Sequence, residues 1–191
     1  MKKLIMLCFC VGLLCALQTA VVAQIKYKVL ATKKTSTMQK ELNEMADQGY
    51  RFQGVSGGET SFGGSEVVSI MSKDPDQQGN FKYILLATSR TGTMQKELQE
   101  AGDNGYEYRG QVVFKTTFGG EEVVAILEKD PNAPIIKYEY KLFATKKTGT
   151  MDKELNEAGD AGYSYVGVTV GKTAIGGNEL VVITRKKYKS M

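Results

Sequence analysis

Six residues stand where an anion could be held. Lys33-Lys34, Ser89-Arg90 and Lys146-Lys147 each fall between the end of a predicted strand and the start of a predicted helix, among threonines and glycines. Free backbone N–H groups and the positive end of a helix dipole converge at such a corner, so a phosphate or carboxylate group is the fitting ligand. The glycine spacing and Lys-Ser/Thr ending of a nucleotide-phosphate loop are missing, and a solvated basic loop accounts for the same residues.

Other recurring residues carry weaker chemistry. Asp47, Asp103 and Asp160 lie in the last turn of a predicted helix, where a negative charge opposes the helix dipole. A cation, a partner or a nearby backbone N–H would each account for them. Glu41, Glu44 and Glu66 recur as Glu97, Glu100, Glu122 and as Glu154, Glu157, Glu179. Paired carboxylates can hydrolyse glycosides, but the first two of each set are expected on the water-facing side of a helix, and nothing implies a cleft. Tyr50 and Phe52, Tyr106 and Tyr108, and Tyr163 and Tyr165 set two rings on one strand face before Gly54, Gly110 or Gly167. Such rings stack on a sugar or peptide, or simply cover the glycine gap in a sheet.

Composition excludes more than it suggests. The chain has no histidine, which removes Ser-His triads, most zinc sites and the usual neutral-pH proton shuttle. Its three cysteines, Cys8, Cys10 and Cys15, all fall in residues 1–23. That stretch reads as a signal peptide of the bacterial kind, with Lys2-Lys3, an apolar run from Leu4 to about Leu17, and small residues at Val21 and Ala23. Cleavage is expected after Ala23, placing the mature chain in the periplasm or outside the cell without a single thiol. Disulfides, thiol catalysis and cysteine metal sites are then excluded, and no cofactor or metal is implied. The apolar run is too short to span a membrane, which takes about 20 residues. There are 25 basic and 21 acidic residues, and without Lys2 and Lys3 the excess falls from +4 to +2. That balanced surface argues against nucleic acid.

All these candidates repeat because the chain does. "ATKKTSTMQKELNEMADQGY" from Ala31 returns as "ATSRTGTMQKELQEAGDNGY" from Ala87 and "ATKKTGTMDKELNEAGDAGY" from Ala144. The offsets are 56 and then 57 residues, which divides the chain into units at 24–74, 82–130 and 137–187, joined by proline-containing links. Each unit reads strand, helix, strand, strand. Tyr27, Val29 and Ala31 share one face of the first strand by period-two alternation. Thr37, Thr93 and Thr150 are expected as helix N-caps. Met38, Leu42, Met45 and Ala46 form the apolar stripe, with Lys40, Asn43, Glu44 and Asp47 facing water.

Gly49 is expected as the left-handed C-terminal cap. The pairs Gly63-Gly64, Gly119-Gly120 and Gly176-Gly177 are expected to turn a hairpin into the third strand. Val68 and Ile70 are expected beneath the helix. Gly102 and Gly159 replace Ala46 inside their helices, at a cost of about 1 kcal/mol each relative to alanine, so close approach of helix to sheet is anticipated.

The outline resembles the DUF4177-like family of short domains of unknown function: an aromatic first strand ("YEYKLFAT", 138–145), then a helix running into "LNEAGDAGYSYVG" (155–167), then a hairpin. Tyr163 stands where that family often has tryptophan. The resemblance spans each unit, departs from the usual single copy, and implies no activity.

A lone unit of this size barely offsets its own chain entropy. Leu30, Leu86 and Phe143, with Val67, Val123 and Leu180, make the second sheet face apolar too, so that face is expected to be buried against a neighbouring unit. The fold class expected is α+β: three tandem βαββ units, each a three-stranded sheet with one helix on one face, packed into one compact body. The function expected is an exported, non-enzymatic binding or structural module working through contact with an unknown protein or with itself. Anion binding by the basic loops is the alternative, and a carboxylate hydrolase the third reading.

Overall fold

The computed structural model describes residues 24–59, 65–76, 79–88, 90–115, 121–172 and 178–188. Unit 1 comprises β1 (Lys26–Thr32), α1 (Thr35–Asp47), β2 (Arg51–Glu59) and β3 (Ser65–Lys73). Unit 2 comprises β4 (Lys82–Thr88), α2 (Thr91–Asp103), β5 (Glu107–Lys115) and β6 (Glu121–Lys129). Unit 3 comprises β7 (Lys137–Thr145), α3 (Thr148–Asp160), β8 (Ser164–Lys172) and β9 (Asn178–Tyr188). Each unit forms an antiparallel sheet with its third strand in the middle, in the orders β1-β3-β2, β4-β6-β5 and β7-β9-β8. The register is the same in all three, setting Val29 against Ile70, Leu85 against Ile126 and Leu142 against Ile183.

The helices end as the sequence anticipates. Gly49, Gly105 and Gly162 take φ of 84°, 82° and 83°. This left-handed turn lets the N–H of Gly49 reach the Ala46 carbonyl and that of Tyr50 reach the Met45 carbonyl, and units 2 and 3 repeat both bonds. The starts differ from expectation. The N-caps are Lys34, Arg90 and Lys147, not Thr37, Thr93 and Thr150, which lie inside the first turn. The strand-end hydroxyls of Thr32, Thr88 and Thr145 accept the N–H of Lys34, Arg90 and Lys147 at 3.3, 3.1 and 3.2 Å, turning the chain into the helix earlier. The glycine pairs expected to turn the hairpins lie outside the described residues.

The helix covers the opposite sheet face from the one expected. Met38, Leu42 and Ala46 of α1 pack on Leu30, Val67 and Met71 of their own sheet, while Val68 and Ile70 point the other way. The other flank of α1 packs on Tyr83, Leu85, Val124 and Ile126 of unit 2. Likewise α2 lies between Ile84, Leu86, Ala125 and Leu127 of its own unit and Tyr140, Leu142 and Ile183 of unit 3. The molecule is a layered stack: sheet, helix, sheet, helix, sheet, helix. Beside the helices, β2 meets β5 and β5 meets β8 directly. In units 2 and 3 both faces of the sheet are apolar and both are buried, as between-unit packing requires. Among the described residues no helix is long and apolar enough to cross a membrane.

Candidate interaction surfaces

Three devices hold each unit to the next. The first is a buried tyrosine. The Tyr83 hydroxyl accepts the Phe52 N–H at 2.9 Å and donates to Glu128 at 2.8 Å. The Tyr140 hydroxyl accepts the Tyr108 N–H at 2.6 Å and donates to the Tyr106 carbonyl at 3.0 Å. Burial, and for Tyr83 the nearby Glu128 carboxylate, raises both phenols well above their ordinary value, so both stay protonated and able to donate.

The second device covers the open edge of each sheet. The first strand of a unit lies at that edge and leaves backbone groups unpaired. The Asn43 amide donates to the Tyr83 carbonyl and accepts its N–H, at 2.9 and 3.0 Å, and Gln39 accepts the Leu85 N–H at 2.8 Å. At the next junction Gln99 accepts from Tyr140, and Gln95 bonds both Tyr140 and Leu142. Asn43, expected to face water, instead extends the ladder across the junction. The signal that could have found it was the recurrence of Gln39 and Gln95 beside the apolar stripe.

The third device is a pair of ion bridges of opposite polarity. Arg51 of unit 1 grips Glu128 of unit 2 at 2.7 Å, and Glu128 is only 4% exposed. Glu107 of unit 2 grips Arg185 of unit 3, also at 2.7 Å. Arg51 and Glu107 occupy equivalent positions, as do Glu128 and Arg185, so the charges swap from one junction to the next. Each arginine satisfies a carboxylate that would otherwise be costly to bury.

Glycines set the spacing. A Cβ on Gly102 would collide with the Tyr138 carbonyl and the ring of Tyr140, which bears out the close approach anticipated for that helix. The aromatic rings also find their glycines, but across junctions. Phe52 lies against Gly110 of unit 2, and Tyr108 against Gly167 of unit 3.

The stack therefore has two open ends. At the head, Tyr27 and Val29 are 66% and 59% exposed, whereas Tyr83 and Tyr140, the counterparts of Tyr27, are each 2% exposed. Gly54, the counterpart of Gly110 and Gly167, has nothing against it. At the tail, Tyr165 is 57% exposed, Val168 and Val170 are exposed, and Gly159 has nothing within 4 Å of the position a Cβ would take.

The candidates for chemistry fall into place around this frame. Lys33, Lys34, Arg90, Lys146 and Lys147 are exposed at one corner of each unit, and Ser89 lies outside the described residues. Lys33 is 3.7 Å from Glu66. None of the three N-caps bonds its helix through a side chain, and no acid occupies a first turn. Asp47 accepts a bond from Lys82 of unit 2 at 2.6 Å, and Asp103 accepts one from Gln99. Glu44, Glu100 and Glu157 are exposed as expected. Glu41, Glu97 and Glu154 are not fully so: each buries one carboxylate oxygen without a partner. Glu41 sits within three or four residues of both Met38 and Met45, at the margin of the apolar stripe.

Lys73, Lys129 and Lys186 donate to the C-cap carbonyls of Gln48, Asn104 and Ala161, a use of recurring lysines that sequence reading missed. No group of three or more acids able to hold a metal occurs among the described residues. No family model, curated protein or solved structure matches the chain.

Proposed function

We propose that this chain is an exported, non-enzymatic interaction module that docks protein through the two open ends of its stack. The supporting observation is the contrast in exposure between Tyr27 and its counterparts Tyr83 and Tyr140, 66% against 2%. One surface is a working interface twice inside the chain and uncovered at its end. Apolar and tyrosine-rich patches of this kind mark protein contact sites. The recurring carboxylates offer less to a hydrolase, since Glu44, Glu100 and Glu157 lie exposed on their helices and Glu66 lies 3.7 Å from Lys33. Export rests on the leader-like residues 1–23, and N-terminal sequencing of the protein recovered from the cell envelope or medium should begin at Gln24.

A photo-reactive amino acid placed at Tyr27 or Tyr165, with Gln53 as an exposed control, tests the docking surfaces in cells. Protein adducts from the two ends and none from Gln53 are expected. Their absence from both ends overturns the reading.

Anion binding is the second reading. It is supported by three uncapped helix starts beside exposed Lys34, Arg90 and Lys147. It predicts salt-sensitive retention on heparin that disappears when Lys33, Lys34, Ser89, Arg90, Lys146 and Lys147 are changed to alanine.

A further inference from the structure

We propose that the occupant of both ends is a second copy of this chain: the head of one molecule docks on the tail of the next and repeats the junction already made twice inside the chain. The proposal rests on the interaction-module reading and identifies its partner. The occupant is named by continuity, because each end carries one half of a joint whose other half stands at the opposite end.

Apart from the ion bridges, the contacts of the internal joints find their counterparts at the two ends. In the Tyr140 joint a hydroxyl takes the Tyr108 N–H and gives to the Tyr106 carbonyl. Tyr27 offers that hydroxyl at the head, and Tyr165 and Tyr163 occupy the matching backbone positions at the tail. In the Tyr83 joint Asn43 covers the N–H and carbonyl of an edge strand. Asn156 stands at the Asn43 position on α3, exposed and bonded to the Asp152 carbonyl of its own helix, and β1 is an outer strand of its sheet. Asp152 takes the place of Gln39 and keeps the half of its role that matters, accepting an N–H, here that of Val29. Asp47 and Lys82 form an ion pair between units 1 and 2, and their counterparts Asp160 and Lys26 are both exposed at opposite ends. Tyr108 rests on Gly167 inside the chain, and the exposed Tyr165 meets the uncovered Gly54 between chains.

Two details favour a copy over an unrelated partner. Gly159 keeps a helix-interior glycine where no atom of the described residues lies within 4 Å of a Cβ, although the same position in α2 needs glycine to admit the incoming strand β7. An incoming β1 would use the same gap. The buried charges also close. Arg51 meets Glu128 and Glu107 meets Arg185, while the corresponding residues at the two ends are Ser164 and Ser72, both neutral. At these two positions a joint between copies buries no unpaired charge. Such a joint is heterologous, so each addition leaves one head and one tail free, and assembly runs on to a ring or a filament.

Analytical ultracentrifugation of the chain from Gln24 onward, which contains every described residue, tests this with three samples: the wild type, Tyr27→Arg and Tyr165→Arg. Both side chains are exposed in the single chain, so the variants should fold, as circular dichroism will verify. The wild type is expected to form species larger than dimers as concentration rises, and each variant alone to remain monomeric. An equal mixture should reach twice the monomer mass and stop, since Tyr27→Arg retains a sound tail and Tyr165→Arg a sound head. A wild type that stays monomeric at millimolar concentration overturns the proposal. So does either variant dimerising alone, or a mixture that never pairs. If the photo-reactive ends capture other proteins while the purified chain stays monomeric, this inference falls and the interaction-module reading stands. If they capture nothing, both fall.

Discussion

Changing Gly102 and Gly159 to alanine, one at a time, should stabilise the chain at Gly159 and not at Gly102. Both glycines occupy the same position in their helices. Alanine is favoured over glycine inside a helix by about 1 kcal/mol, and this gain applies equally to the two. At Gly159 nothing lies within 4 Å of the new methyl group, so the whole gain should appear. For a chain of this size about 1 kcal/mol corresponds to a rise in Tm of roughly 2–4 °C.

At Gly102 the methyl group meets the Tyr138 carbonyl and falls 2.9 Å from ring atoms of Tyr140. The carbonyl belongs to the backbone of β7 and cannot swing aside, and the Tyr140 ring is anchored by its hydroxyl to Tyr106 and Tyr108. Forcing a methyl group into such a contact costs about 1–3 kcal/mol. Set against the helical gain, Gly102→Ala should lie between neutral and about 2 kcal/mol destabilised, and the pair should differ by about 1–3 kcal/mol. Urea unfolding followed by circular dichroism, at protein concentrations too low for association, reads both midpoints. If the two variants gain equally, helix α2 does not press on β7, and the layered packing described above is wrong.

Other consequences are as direct. Tyr83→Phe leaves the Phe52 N–H without its buried partner and leaves Glu128 Oε2 with Arg51 alone, and should cost about 1–3 kcal/mol, whereas Tyr27→Phe should leave the single chain unchanged; equilibrium unfolding compares them. Arg51→Met strands the buried Glu128, and with Arg109 still 3.8 Å away the loss should be about 3 kcal/mol, largely recovered in the double variant with Glu128→Met. The phenols of Tyr83, Tyr108 and Tyr140 are raised chiefly by burial. Their contribution to stability is therefore complete below the ordinary phenol value of about 10 and is lost as pH climbs above it. Ultraviolet titration should show these three ionising only with unfolding. Unit 2 alone, residues 82–130, should fail to unfold cooperatively at the temperature of the whole chain, because Tyr83 loses its cover and α2 its second sheet.

The unit was legible in the sequence because its local signals agree. A stripe at Met38, Leu42 and Ala46, glycine at 49 and period-two strands all point to one βαββ outline, and Gly102 announced a close contact from its cost alone. The side of the sheet that the helix covers was not legible. Leu30, Val67 and Met71 are as apolar as Val29, Val68 and Ile70, and alternation separates the two sets without saying which is inner. Thr37 looked like a cap because sequence spacing does not reveal that the Thr32 hydroxyl captures the Lys34 N–H first. Asn43 looked solvated because a polar side chain beside an apolar stripe reads the same whether it meets water or a strand edge. Of the acidic candidates in the last helical turn, Asp47 acquired a partner across a junction, and that partner, Lys82, lies 35 residues along the chain, beyond the reach of any local pattern.

The swap of charge between the two ion bridges also guards the number of units. Near-identical repeats invite loss of a middle copy by unequal exchange, and a chain that dropped residues 82–138 would keep every helix, strand and turn of a shorter stack. It would also set Arg51 against Arg185, two half-buried guanidinium groups facing one another without the carboxylate that each now holds. A two-unit descendant could survive only with a compensating change at one of those positions, so the alternation works as a parity check on length.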